Sequence, residues 1–387
     1  MRFADYTDEW HKYALSDFVT RITRRNKNNE SSLPLTISAQ YGLVDQITFF
    51  NKTVASVDLS GYYLLYNGDF AYNKSYSNDY AWGAVKRLDK YEKGCLSSLY
   101  FVFRPTDKVD SDYLTHYFET NKWHKGISDI AGEGARNHGL LNMAVDDYFA
   151  TKHYLPSLSE QKKIACFLNL ITKRIEIQNK IISKYETLIK GLSCDYFSKQ
   201  PNHIAKLKDL IIKGKAGGTP SSTIAEYYNG NIPFLSISDM TRQGKYVEFT
   251  EKHISENGLA NSSAWIVPSN SLILSMYASV GLVCINKVPL ATSQAMFSMV
   301  LKDCNMLDYI YYYLNFFRET QIHRLLETGT QSNINADTVR DIEIPFYSNI
   351  LVFVKTLQAI ENRLNNEKDM LSRLMDLKTY LLSSLFI

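Results

Sequence analysis

An α+β chain, with two globular heads joined by two long antiparallel coiled-coil helices in a pseudo-two-fold, circular arrangement, is the fold this sequence predicts. Three observations carry that expectation. The first is a seam: Ile164, Leu168, Ile171, Ile175, Gln178, Ile182, Tyr185, Ile189, Leu192 and Tyr196 alternate in steps of four and three. That is the pattern of a helix packed along its length on another helix. No Gly or Pro interrupts it before Gly191, and at about 1.5 Å per residue it spans roughly 50 Å. The second is a repeat. The seam recurs 189 residues later as Phe353, Leu357, Ile360, Leu364, Glu367, Leu371, Leu374, Lys378, Leu381 and Leu385. The copies share Leu168/Leu357, Ile171/Ile360, Arg174/Arg363, Ser183/Ser372, Leu188/Leu377, Leu192/Leu381 and Phe197/Phe386, so a whole module is duplicated. The third is a short connection: about five residues separate Phe197 from His203. The second head must then sit at the end of the first helix and the start of the second, which forces the helices antiparallel and brings Ile387 back beside the first head. Each helix carries one polar inner layer, Gln178 and Glu367, and a hydrogen bond between them is expected to set register.

Taken in order, residues 1–156 form the first head, 157–199 the first helix, 200–346 the second head and 347–387 the second helix. In the first head, Leu15-Ser16-Asp17-Phe18 leads to a basic loop containing Arg21, Arg24, Arg25 and Lys27. Strands are expected around Leu33–Ser38, Gly61–Tyr66 and Ser98–Phe103, separated by turns such as Asn67-Gly68-Asp69. A helix is expected from Ser111 to about Trp123, followed by a glycine-flanked loop from Gly132 to Gly139. Ser157 or Ser159 caps the long helix. The second head repeats the plan with other content. Leu207-Lys208-Asp209 stands for Leu15-Ser16-Asp17, Lys213 to Pro220 replaces the basic loop, and a helix from Asp308 to Leu326 precedes Gly329 to Asn335.

Composition sets wide bounds. The 387 residues fit two domains plus extended helices, and 45% hydrophobic with 21% charged residues is ordinary for a folded chain. A net charge of +3 does not by itself signal nucleic-acid binding, so any such surface is local. The five scattered cysteines contain no CxxC pair, which argues against a disulfide framework or a structural zinc. The polar, aromatic start after Met1 is unlike a secretory leader, and the apolar run Ser271 to Ile285 is too short to span a bilayer. The chain therefore reads as cytoplasmic, with no membrane role. No catalytic constellation is found: there is no GxxxxGKS/T phosphate loop, HExxH, GxSxG, Asn-Pro-Pro-aromatic segment or glycine-rich cofactor loop after a strand. The sequence reads as a binder, with no cofactor, metal or catalytic residue of its own.

Glu133-Gly134-Ala135-Arg136-Asn137-His138-Gly139-Leu140-Leu141-Asn142, Leu155-Pro156-x-Leu158-x-Glu160-Gln161-Lys162-Lys163-Ile164-Ala165-x-Phe167-Leu168 and Gly217-Gly218-Thr219-Pro220 resemble the DNA-specificity subunit of type I restriction–modification systems. The resemblance extends over essentially the whole chain. It implies two target-recognition domains on two spacer helices, each reading one half of a split, asymmetric site in double-stranded DNA, with no catalysis by the chain itself. It also implies assembly with two methyltransferase subunits, which bind S-adenosylmethionine, and with ATP-dependent restriction subunits. One departure stands out: the second copy has Phe346-Tyr347-Ser348-Asn349-Ile350 where the Glu-Gln pair belongs. This puts in doubt any contact made through that pair at the second site.

DNA contacts are then expected at Arg24, Arg25 and Lys27, as phosphate or guanine ligands, against a solvated basic loop as the bland alternative. Asn73, Lys74, Ser75 and Tyr76 combine donors with an aromatic ring, and Arg136, Asn137 and His138 sit in a loop that either reads bases or closes on itself. In the second head, Lys215, Gly217, Gly218 and Thr219 suit close approach of backbone to phosphate or, equally, a structural turn. Thr330, Gln331, Ser332 and Asn333 occupy the place of the Arg136 loop. Tyr277, Ser279, Thr292, Ser293 and Gln294 are weaker candidates. Lys162, Lys163, Lys173, Arg174 and Lys180 read as exposed helix charge. The competing function is a coiled-coil adaptor with two protein-binding heads, separable by the salt dependence of DNA binding. A self-sufficient methyltransferase or nuclease is disfavoured by the missing motifs.

Overall fold

The long helices are where the heptad pattern places them. In the computed structural model, which describes residues 2–52, 54–77, 80–131, 139–324 and 333–387, they run Leu158–Phe197 and Ile350–Leu385. Every residue of both seams, Gln178 and Glu367 included, is buried or half-buried. The flanking Lys162, Lys163, Lys173, Arg174 and Lys180 are exposed. The first helix starts six residues before the seam because Ser157 caps it, its Oγ accepting the Glu160 N–H at 3.4 Å. Among the described residues no helix is long and apolar enough to cross a membrane.

The chain divides into two compact units, residues 1–180 with 369–387, and residues 181–368. Each long helix is thus cut near its middle and shared. In the first unit, Ile164 and Leu168 from the start of one helix share a core with Leu381 and Leu385 from the end of the other, together with Leu15, Phe18, Phe70, Phe103 and Tyr113. In the second, Tyr196 and Phe197 from the end of the first helix share a core with Phe353 and Leu357 from the start of the second, together with Leu207, Leu274, Phe297 and Tyr309. The Tyr196 and Phe353 rings stack with centroids 3.8 Å apart. The pairing is therefore antiparallel within each unit.

The heads repeat one plan. In the first, His11–Ala14 pairs with Lys152–Leu155, closing the head where the long helix departs. In the second, His203–Lys206 pairs in the same way with Glu343–Phe346. A one-turn helix follows each first strand, Leu15–Phe18 and Leu207–Leu210, and each opens with the same backbone bond, Leu15 N to Thr151 O and Leu207 N to Ile342 O, both 2.9 Å. The main sheet of the first head has the order Val19–Arg21, Phe101–Pro105, Phe70–Asn73, Ala84–Arg87, all antiparallel. That of the second has Ile211–Ala216, Met296–Leu301, Leu272–Ser275, Val283–Asn286, and adds Tyr246–Val247 in parallel at the edge.

Sequence expectation and structure differ in detail. The strand expected from Leu33 begins at Leu35, after Pro34, which has no N–H to give a ladder. The strand expected from Ser98 runs Phe101–Pro105, because Ser97 to Tyr100 form a turn, Tyr100 N reaching Ser97 O at 3.3 Å. The helix expected over Ser111 to Trp123 ends at Tyr117. There the Thr120 hydroxyl donates to the Tyr117 carbonyl at 2.7 Å, and a second helix, His124–Ile130, follows.

The Glu-Gln pair has an internal use. Glu160, fully buried, takes both arms of the Arg2 guanidinium at 2.7 and 2.6 Å, pinning the N-terminal segment. Gln161 accepts from the Asp110 N–H at 2.8 Å and donates to Pro156 O at 3.0 Å. In the second copy Tyr347 takes over, its hydroxyl 3.2 Å from both Phe197 O and Lys199 O. Glu160 and Tyr347 each fasten the chain segment that enters their own head.

Candidate nucleic-acid interface

In the first head the basic loop turns inward. Asp69, fully buried, accepts from Arg24 Nη2 and Arg104 Nε, each at 2.6 Å, and from the Tyr66 N–H at 2.7 Å. Arg24 Nε donates to Leu64 O at 2.9 Å, and its guanidinium lies 4.3 Å over the Tyr66 ring. Arg25 donates to Gly61 O at 2.7 Å and stacks 4.3 Å over Tyr63. The buried carboxylate holds Arg24 and Arg104 strongly, and Arg25 is engaged by a carbonyl and a ring. Neither the Arg24 nor the Arg25 guanidinium is the merely solvated group of a basic loop. Lys27 stays exposed, in a turn where Asn28 and Asn29 have φ of 66° and 53°.

The polar loop at the end of strand Phe70–Asn73 is better placed. Asn73 Oδ1 accepts the Ser75 N–H at 3.0 Å, which shapes the turn, while Ser75 and Tyr76 face solvent. Lys74 Nζ sits 4.6 Å over the Phe101 ring, and partial burial lowers its pKa. The loop is brought against residues 139–141: Leu141 N donates to Lys74 O at 3.0 Å and Tyr76 N to Gly139 O at 3.1 Å. Arg136, Asn137 and His138, immediately before this stem, lie outside the described residues.

The second head builds the corresponding rim from more pieces. Its edge strand Ile211–Ala216 presents Lys213, 4.1 Å over the Trp265 ring, and Lys215, exposed. The alternation of lysines along an edge strand was the signal for Lys213, which sequence reasoning passed over. Gly217 and Gly218 then turn the chain, in the geometry of the structural-turn alternative. Both are buried, and their N–H groups donate to Met296 O at 3.1 Å and Thr292 O at 2.9 Å. A Cβ on Gly217 would lie 2.0 Å from Thr292 O, and one on Gly218 2.2 Å from Ser263 Oγ. The glycines are required by close packing against the chain itself. Thr219 faces solvent and donates to Gln294 Oε1.

Two further bonds complete this rim. Met276 N donates to Ala295 O at 2.8 Å, and Ile334 N to Met276 O at 3.1 Å. They tie the segment before Tyr277 to the segments that carry Gln294 and Asn333, and Gln294 in turn meets Thr219. The second bond matches Leu141 to Lys74 in the first head, so the repeat extends to the way each rim is tied. Tyr277, Ala278 and Ser279 are exposed, and the latter two have φ of 40° and 45°, a strained region for residues with a Cβ. Ser275 Oγ holds the loop from inside, 2.6 Å from Tyr277 O and 2.8 Å from Ala278 O. Thr292, by contrast, is fully buried against Ser298. Thr330, Gln331 and Ser332 lie outside the described residues.

Residues 201–368 match the family described as the type I restriction modification DNA specificity domain. Over 147 residues, 38% of this chain and 34% of the relative, the sequence is 30% identical to the type I restriction enzyme MjaIX specificity subunit of Methanocaldococcus jannaschii. Over 180 residues, 44% of this chain and 38% of the relative, it is 31% identical to the HindI specificity subunit of Haemophilus influenzae. The matched stretches span about a third of these relatives' lengths. Among solved structures, the S subunit of a type I restriction-modification system from M. genitalium has a TM-score of 0.57 at 15% identity, covering 100% of this chain and 99% of that one. A chain solved in a study of complex assembly and conformational transition of the type I R-M system has a TM-score of 0.58 at 15% identity, covering 97% of each. At such identity the likeness is one of fold.

Proposed function

We propose that this chain, whose residues 201–368 match the type I restriction modification DNA specificity domain, is the sequence-recognising subunit of a type I restriction–modification complex. In this reading the head over 1–156 reads one half of a split, asymmetric site in double-stranded DNA, and the head over 200–346 reads the other. The helices over 157–199 and 347–387 set the spacing and dock two methyltransferase subunits. Those subunits bind S-adenosylmethionine and carry the methyl transfer, ATP-dependent restriction subunits complete the assembly in the cytoplasm, and this chain contributes no catalytic step.

The carrying observation is that one scaffold presents two unlike rims. Each rim is tied by the same backbone bond, Leu141 N to Lys74 O and Ile334 N to Met276 O, yet the side chains differ. One offers Asn73, Lys74, Ser75 and Tyr76, the other Lys215, Thr219, Tyr277, Gln294 and Asn333. Such groups suit phosphate contact through lysine, and base edges through Asn, Gln and hydroxyls. The test is a single-molecule methylome of a host expressing this chain with a compatible methyltransferase subunit, against a host lacking only this chain. A new methyladenine motif in two unlike halves around a fixed spacer is the expected result. No new motif despite a co-purifying complex would refute the proposal in favour of a protein adaptor.

A further inference from the structure

Each head meets its long helix through a polar node of the same design. In the first unit Asp112, in the opening turn of helix Ser111–Tyr117, accepts Arg87 Nη1 at 2.7 Å on one oxygen and Asn169 Nδ2 at 2.8 Å on the other. The Asn169 amide oxygen in turn meets His116 Nε2 at 2.8 Å. In the second unit Asp308, in the opening turn of helix Leu307–Thr320, pairs with Lys245 Nζ at 2.7 Å on one oxygen and accepts Gln358 Nε2 at 2.8 Å on the other. Lys245 also reaches Glu361 at 2.6 Å, and the Tyr312 hydroxyl donates to the same carboxylate at 2.6 Å.

Asn169 and Gln358 occupy equivalent positions, 189 residues apart, and Asp112–His116 and Asp308–Tyr312 share one spacing. The cation and amide types differ while the arrangement persists: a cation on or just before an edge strand, a helix-start aspartate, a long-helix amide. Partly buried ion pairs add little stability over apolar packing, because desolvation offsets the attraction. What they supply is direction.

The nodes also stand apart from the rims. In the first head Arg87 pairs with Phe70, at the far end of strand Phe70–Asn73 from the rim loop. In the second, Lys245 O accepts from Ile285, which pairs with Leu272, at the far end of strand Leu272–Ser275 from Tyr277. Each node can therefore steer a rim through a stiff sheet without touching the ligand.

We propose that Asp112 with Asn169, and Asp308 with Gln358, are positioning residues. They fix the angle of each head on the helices and so select the number of base pairs between half-sites. The inference rests on the specificity-subunit reading above. A displacement of a rim by roughly 3.4 Å corresponds to one base pair, so a small tilt at a node is enough to change the preferred spacer.

The test is selection of randomised duplex DNA by the full chain complexed with a methyltransferase subunit, followed by sequencing, which reads half-sites and spacer together. Wild type should return one dominant spacer. Asp308→Ala and Asp112→Ala should keep both half-sites but spread the spacer, the share at the wild-type spacing falling about threefold. Gln358→Leu, which leaves Lys245 paired with Asp308, guards against misfolding of the aspartate variants and should give a smaller spread in the same direction. Weaker binding with an unchanged spacer distribution would overturn the inference and leave the nodes a purely structural role. A wild-type complex that selects no split site would overturn the function it rests on, and the inference with it.

Discussion

At the residue scale, what separates a binding group from a structural one is whether its donors are already engaged. Gly217 and Gly218 are the plainest case. Gly217→Ala or Gly218→Ala places a methyl carbon 2.0 or 2.2 Å from atoms of the same head, and each should cost about 3 kcal/mol, read as a drop in the melting temperature of the purified chain. On the proposed function, Lys213 and Lys215 belong to the other class. Alanine at both should weaken binding evenly across sequences and reduce the slope of log K against log salt by about 1–2, without altering the methylated motif. His153 gives a third prediction. Burial holds its imidazole at about 4, below the usual 6.5, between the Tyr117 and Thr151 hydroxyls. A base with a depressed folded pKa contributes stability that is complete above its unfolded value and is lost as pH falls. The chain should therefore lose thermal stability between pH 6.5 and about 4, and His153→Gln should flatten the melting temperature over that window.

At the element scale, the long helices combine a legible pattern with a hidden one. The apolar seam was plain in the sequence because its period is a property of neighbouring turns. Leu168→Ala and Leu357→Ala, both at fully buried positions, should each destabilise by about 3 kcal/mol, checked by denaturant titration. The polar layers are proposed to set register. Gln178 is fully buried, and Glu367, mostly buried, accepts from Arg363 at 2.9 Å. Leucine at both positions should raise the melting temperature while broadening the helix signals in NMR spectra; sharp, unchanged spectra would remove the register role. The nodes were not legible. Asn169 and Gln358 look like surface polar residues in a helix, and only the aspartates that fold against them give them a purpose.

At the scale of the whole molecule, duplication with divergence makes a modular claim testable. Exchanging residues 200–346 for the matching segment of another specificity protein, with Lys245, Asp308 and Tyr312 retained, should replace one half-site and leave the other half and the spacer unaltered, read by methylome sequencing. A chimaera whose spacer changes together with its half-site would mean that the heads, rather than the helices and nodes, set the distance.

The sequence by itself determined the two helices, their antiparallel pairing and the repeat. Those features follow from periodicity, from an offset of 189 residues and from a connection too short to reach elsewhere. Only the tertiary structure decided which polar groups remain free for a ligand. Arg24 finds Asp69, 45 residues on, and Thr219 finds Gln294, 75 residues on. A hydrogen bond closed across such a distance leaves no trace in local pattern, so the same residue types read equally well as contacts to DNA or as internal ties until the chain is folded.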